Sequence, residues 1–148
     1  MIYFIKKDVT TVEVGIVAHG VNCQHTMGSG VAKAIREKWP QVYNGYMTSP
    51  RGREMLGTAW MVNINDKLYV ANCYTQEYYG RNGKFASVDA VQDSLRTVVS
   101  WANVLKLSIY MPRIGCGLGG LTWEADVEPI VRKIGNTFNN VDIYVCDL

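Results

Sequence analysis

Along this chain, short β-branched apolar runs alternate with longer stretches whose apolar residues fall three or four apart, the pattern of strands interleaved with amphipathic helices. Residues 1–6 read as a first strand. Residues 11–18 read as a second, in which Val12, Val14, Ile16 and Val17 suit a buried sheet. Over residues 28–39, Val31, Ala34, Ile35 and Trp39 keep helical spacing, and Pro40 ends the pattern. Residues 58–64 and 67–74 are apolar runs joined around Asn65-Asp66, which predicts an antiparallel hairpin. The clearest helical stripe follows, with Val88, Val91, Leu95, Val98, Val99, Ala102 and Leu105 on one face and Ser87 or Asp89 able to cap it. A short strand at 107–111, a helix from about Thr122 carrying Val127, Ile130, Val131 and Ile134, and a strand at 141–146 complete the order. Strands alternating with three such helices predict an α/β fold, a three-layer α/β/α sandwich around a mixed central sheet of about six strands.

Composition changes this picture little. A chain of 148 residues with 48% apolar residues predicts one domain over residues 1–148. Its net charge of +2 and lack of long like-charge runs argue against a polyanion-binding surface. The opening apolar run meets Lys6, Lys7 and Asp8 too soon for a signal or a membrane span, so no membrane partner and a cytoplasmic location are expected. Cys23, Cys73, Cys116 and Cys146 show no C-x-x-C spacing and read as thiols, and with only His19 and His25 beside them no metal is expected.

The chemistry concentrates in two glycine groups. One is Asn22-Cys23-Gln24-His25-Thr26-Met27-Gly28-Ser29-Gly30, the other Pro112-Arg113-Ile114-Gly115-Cys116-Gly117-Leu118-Gly119-Gly120. Each follows an apparent strand and leads into a helical pattern, so each offers unhindered backbone amides near a helix N-terminus, where phosphate is attracted. Two such places suggest a ligand with two linked phosphates. The P-loop pattern is absent and the third glycine of a Rossmann turn is missing, which excludes the common nucleotide fingerprints.

With Asp8-Val9-Thr10 after the first strand, and Leu121-Thr122-Trp123-Glu124 closing the second group, the chain resembles a macro domain nearly end to end. The resemblance lies with the branch that holds yeast-type ADP-ribose 1''-phosphate phosphatases, hydrolases of ADP-ribosylated glutamate, and antitoxins that remove ADP-ribose from DNA. It implies that Asp8 accepts from the adenine amino group beside Val9, and that Asn22 meets the distal ribose. It also implies that Gly28, Ser29, Gly30 and Val31 contact phosphates and distal ribose, while Gly115, Cys116, Gly117, Leu118, Gly119, Gly120 and Leu121 wrap the pyrophosphate. Tyr74, Thr75 and Gln76 are possible wall residues, and Tyr78 and Tyr79 could stack on adenine.

For catalysis the resemblance points to His19, whose imidazole could activate water or attack a terminal phosphate; His25 is the alternative histidine. The aspartate that glutamate-specific hydrolases carry after Gly-Cys-Gly-Leu is replaced by Gly119. Antitoxin-like members carry Gly-Gly-Leu there and use a lysine, for which Lys84 in Arg81-Asn82-Gly83-Lys84 is the counterpart. Cys23 and Cys116 are expected to pack rather than react. The expected activity is therefore dephosphorylation of ADP-ribose 1''-phosphate to ADP-ribose by a monomer without cofactor. The alternatives are a non-catalytic ADP-ribose reader and a hydrolase of ADP-ribosylated protein or DNA.

Overall fold

The computed structural model describes residues 1–80 and 83–148. Six strands, β1 Ile2–Lys6, β2 Gly15–Asn22, β3 Ala59–Asn65, β4 Leu68–Gln76, β5 Ile109–Met111 and β6 Ile143–Asp147, form one sheet in the order β1-β6-β5-β2-β4-β3. All neighbours are parallel except the β3–β4 hairpin, whose turn is tightened by Asn65 Oδ1 accepting from the Lys67 amide at 2.8 Å. Helices α1 Gly30–Lys38 and α2 Pro40–Thr48 cover one face, and α3 Val88–Leu105 and α4 Glu128–Thr137 cover the other. This is the expected three-layer sandwich with a mixed sheet.

The two faces of β2 show why the sequence folds this way. Ile16 and Ala18 join the core under α3 and α4, while Val17 and Val21 join the core under α1 and α2. A strand buried on both sides reads as a continuous apolar run, as this one does. Ser87 caps α3 by accepting from the Ala90 amide at 3.2 Å, and Val91, Leu95, Val98, Val99 and Ala102 are buried beneath it. The outer positions of that stripe, Val88 and Leu105, are exposed.

Several boundaries differ from expectation. Residues 9–11 form a 3-10 turn, so β2 starts at Gly15 and runs on to Asn22, and Val14 stands exposed. Ala34 is also exposed, and Ile35 carries the buried contact of α1. Pro40 does not end the helical region: it opens α2 at its first turn, a position where the missing amide costs nothing. The segment before α4 widens into a π turn over Trp123–Val127. No helix among the described residues is long and apolar enough to cross a membrane.

Candidate functional site

Because β1, β6, β5, β2 and β4 are parallel, their carboxyl ends share one edge of the sheet, and the segments after them emerge there. From β2 the chain crosses to α1 on one face, and from the adjacent β5 it crosses to α4 on the other. Divergence of neighbouring strands to opposite faces opens a crevice at the strand ends, the usual ligand position in an open α/β sheet. The two glycine loops form its walls.

The first wall carries unpaired backbone donors. The amides of residues 28–32 reach no acceptor among the described residues, and Ser29, the N-cap of α1, makes no side-chain cap. Gly28, Ser29 and Gly30 are exposed, and Gly30 has φ +62° with nothing within 4 Å of the place a β-carbon would take. These amides therefore sit at a helix N-terminus, open to an anion.

The second wall divides in two. The amides of residues 117–119 find no acceptor among the described residues, and Gly117 and Leu118 are exposed. The rest of the loop holds itself in place: the Leu121 amide donates to the Gly115 carbonyl at 2.9 Å, and the Gly119 carbonyl accepts from the Phe85 and Ala86 amides, both at 2.9 Å. A β-carbon on Gly119 would lie 2.6 Å from the Gly115 carbonyl oxygen. Contrary to expectation, the turn that follows is not an open helix end, because Asp126 Oδ2 accepts from the Thr122 amide at 2.8 Å. Arg113 anchors the start of the loop by a two-pronged contact with Asp147 at 2.9 and 3.2 Å, which holds that carboxyl below its usual range.

Other expected site residues take different positions. Asp8 Oδ1 accepts from the Thr10 amide at 2.9 Å and the Thr10 hydroxyl at 2.7 Å, so this carboxylate caps the 3-10 turn, and those two bonds lower its pKa. It remains exposed beside buried Val9. Asn22 is buried, and its amide works within its own loop: Nδ2 donates to the Thr26 carbonyl at 2.9 Å and Oδ1 accepts from the Gln24 amide at 2.9 Å. The direct ribose contact expected of it competes with these bonds. Tyr74 and Thr75 are buried and only Gln76 is half-exposed, whereas Tyr78 and Tyr79 stand exposed. Burial pushes the thiols of Cys23 and Cys116 each up to about 11, which suits packing and not attack.

His19 is not at a strand end. It lies three residues before the end of β2, is 1% exposed, and sets Nε2 against Oδ1 of Asn72 in β4 at 2.5 Å. Because an amide oxygen only accepts, the ring proton sits on Nε2. Loss of hydration drives its pKa down to about 4, against which the Asn72 bond acts only partly. The imidazole expected to be catalytic is thus enclosed within the sheet rather than standing at the strand end. Lys84 is exposed, and its Cα would lie 2.9 Å from a β-carbon on Gly120, so its segment borders the second wall. Arg81 and Asn82, named with it above, fall outside the described residues.

Sequence reading missed α2 and its Tyr46, whose hydroxyl donates to the Asn22 carbonyl at the start of the first loop. A signal was present: Val42 and Tyr46 are four apart after a proline suited to a helix start.

The chain is 28% identical to a DNA ADP-ribosyl glycohydrolase of Mycobacterium tuberculosis over 98% of its own length, though it spans only 42% of that protein. It is 27% identical to an ADP-ribose 1''-phosphate phosphatase of Candida albicans, covering 95% of this chain and 98% of that one. A macrodomain protein from Streptomyces coelicolor superimposes with a TM-score of 0.80 at 27% identity, covering 100% of this chain and 99% of that one. The Macro domain family model matches residues 18–130, a span holding both amide-lined walls of the crevice, and the chain therefore belongs to the macro domain family.

Proposed function

We propose that the crevice binds ADP-ribose and that the protein is a hydrolase releasing ADP-ribose from substituents on its distal ribose, with ADP-ribose 1''-phosphate as the substrate. The carrying observation is the two amide runs, residues 28–32 and 117–119, that find no acceptor among the described residues and follow the adjacent strands β2 and β5 at one edge of the sheet. A pyrophosphate brings two linked anions, and each wall offers one of them oriented donors that need no reorganisation on binding. Asp8, at the end of β1 on the same edge, is the group for the adenine amine. A water oxygen bonds to the terminal phosphorus as the bond from phosphorus to the distal ribose oxygen breaks, a proton of that water passes to the ribose oxygen, and ADP-ribose and inorganic phosphate leave. The similarity to yeast phosphatases supports this reading.

Burial of His19 moves the charged role to the rim, where Lys84 is an exposed cation bordering the second wall. Its ammonium would offset charge developing on the leaving group. The same placement favours a second reading, removal of ADP-ribose from DNA, since the glycohydrolase relatives share the whole length of this chain. One experiment separates the readings: ADP-ribose 1''-phosphate and an ADP-ribosylated DNA oligonucleotide are each incubated with the protein, and free phosphate and free ADP-ribose are measured. Phosphate release alone establishes the phosphatase, release from DNA alone establishes the glycohydrolase, and binding without product establishes a reader. Lys84→Ala is expected to slow the productive reaction about a hundredfold while ADP-ribose affinity stays within about threefold.

Gly117→Glu tests the crevice itself. The position is exposed with nothing within 4 Å of a new β-carbon, so the fold should tolerate it while the carboxylate opposes the phosphates. Calorimetric titration is expected to show ADP-ribose affinity falling at least about tenfold. Unchanged affinity would place the ligand elsewhere.

A further inference from the structure

The loop that leads into the first wall is braced from below, at Asn22, by a chain of buried hydroxyls. Tyr46 of α2 donates to the Asn22 carbonyl oxygen at 2.5 Å and lies 2.9 Å from Asn22 Oδ1. That same Oδ1 accepts from the Gln24 amide at 2.9 Å and the Thr26 amide at 3.4 Å, and Asn22 Nδ2 returns a bond to the Thr26 carbonyl. Behind Tyr46, Ser49 Oγ donates to the Tyr46 carbonyl at 2.6 Å and contacts the Tyr74 hydroxyl of β4. The His25 ring stands edge-on to the Tyr46 ring, centroids 5.1 Å apart, in a residue whose φ of +61° turns the loop inward. Tyr46 and Asn22 are both buried.

The arrangement is more than packing requires. Phenylalanine at residue 46 would fill the same volume and keep the edge-on contact with His25. What the hydroxyl adds is a bond to Asn22, the residue that closes the loop by binding both Gln24 and Thr26. The loop then passes directly into the amides of residues 28–32, which find no acceptor among the described residues.

We propose that the Tyr46 hydroxyl is a positioning group for the anion wall, holding Asn22 so that the loop presents its amides ready-made to the phosphates. This rests on the ADP-ribose reading above. Preorganised donors bind more tightly because the cost of ordering is already met in the free protein.

The test uses Tyr46→Phe with Ser49→Ala as its control, since both delete one buried hydroxyl from the same chain but only the first touches Asn22. Hydrogen exchange on the free proteins should show faster exchange at Gln24 and Thr26 in Tyr46→Phe, with α3 and β4 unchanged, and no such change in Ser49→Ala. ADP-ribose affinity should fall about tenfold in Tyr46→Phe and stay within about twofold in Ser49→Ala. Unchanged exchange at Gln24 and Thr26, unchanged affinity in Tyr46→Phe, or equal losses in both variants would each overturn the assignment, the last by showing general loosening. If the wild-type protein takes up no ADP-ribose, the function proposed above falls, and exchange alone then decides whether Tyr46 positions the loop.

Discussion

Gly120→Ala is expected to destabilise the protein by about 3 kcal/mol and to remove ADP-ribose binding, although only one methyl group is added. Gly120 has φ +82°, a left-handed conformation that costs an L side chain about 1–2 kcal/mol. The greater obstacle is steric. A β-carbon there would lie 2.3 Å from the Gly83 carbonyl oxygen and 2.9 Å from Lys84 Cα, and both are backbone atoms that cannot rotate away. The loop must therefore separate from the segment that enters α3, disturbing the Gly119 carbonyl that holds the Phe85 and Ala86 amides. The relevant comparison is Gly117→Ala in the same loop. Gly117 has nothing within 4 Å and no left-handed φ, so its stability should stay within about 0.5 kcal/mol of wild type. Urea unfolding of the pair, with calorimetric titration of ADP-ribose, checks the contrast. Equal stability of the two variants would mean that the second wall does not rest on the 83–86 segment.

The second large effect is a loss of stability in mild acid governed by His19. Its pKa is about 4 in the folded protein, below the ordinary 6.5 to which it returns on unfolding. Between those values the unfolded chain binds the proton and the folded chain does not. Stability is then highest above pH 6.5 and declines as pH falls toward 4, below which this contribution is exhausted. The difference between the two pKa values corresponds to about 3 kcal/mol. Asp8 and Asp147, held below the ordinary carboxyl value of 3.8, lose their stabilising ionisation at still lower pH, so the His19 window stands apart from theirs. Denaturant midpoints measured at several pH values between 4 and 7.5 should show this slope in wild type and a shallower one in His19→Gln, which has no imidazole to protonate. A slope unaltered by the substitution would mean that other groups carry the acid response.

This assignment bears on mechanism. A histidine that stays neutral through the physiological range sits inside the sheet with Nε2 paired to Asn72, while its Nδ1 and Asn72 Nδ2 have no partner among the described residues. Both partners lie on the α1–α2 side of β2 and β4, directly opposite each other in the parallel register. Pairing with β4 carries β2 on to Asn22 and draws the imidazole inside.

The same kind of neighbour effect explains the other departures. Asp8 and Asn22 are polar residues at strand ends, a description that fits a ligand contact and a turn cap equally well. Their side chains meet backbone amides two residues away and cap their turns, leaving Asp8 exposed and Asn22 enclosed. Pro40 illustrates an ambiguity of position, since the residue that ends one helix opens the next. The role of Tyr46 is absent from its local sequence because its partner lies twenty-four residues away.

Periodicity and glycine placement by themselves determined the layers, the β3–β4 hairpin, the buried stripe of α3 and the two loops that line the crevice. These are local consequences of side-chain spacing and backbone freedom, and they survive any arrangement of distant parts. Tertiary structure alone decided which glycines face open space and which lie against backbone, as Gly117 and Gly120 show within one loop. It also decided that His19 is enclosed and Lys84 exposed. Accessibility and hydrogen-bond partnership are properties of what packs against a residue, and here those neighbours come from other strands and helices.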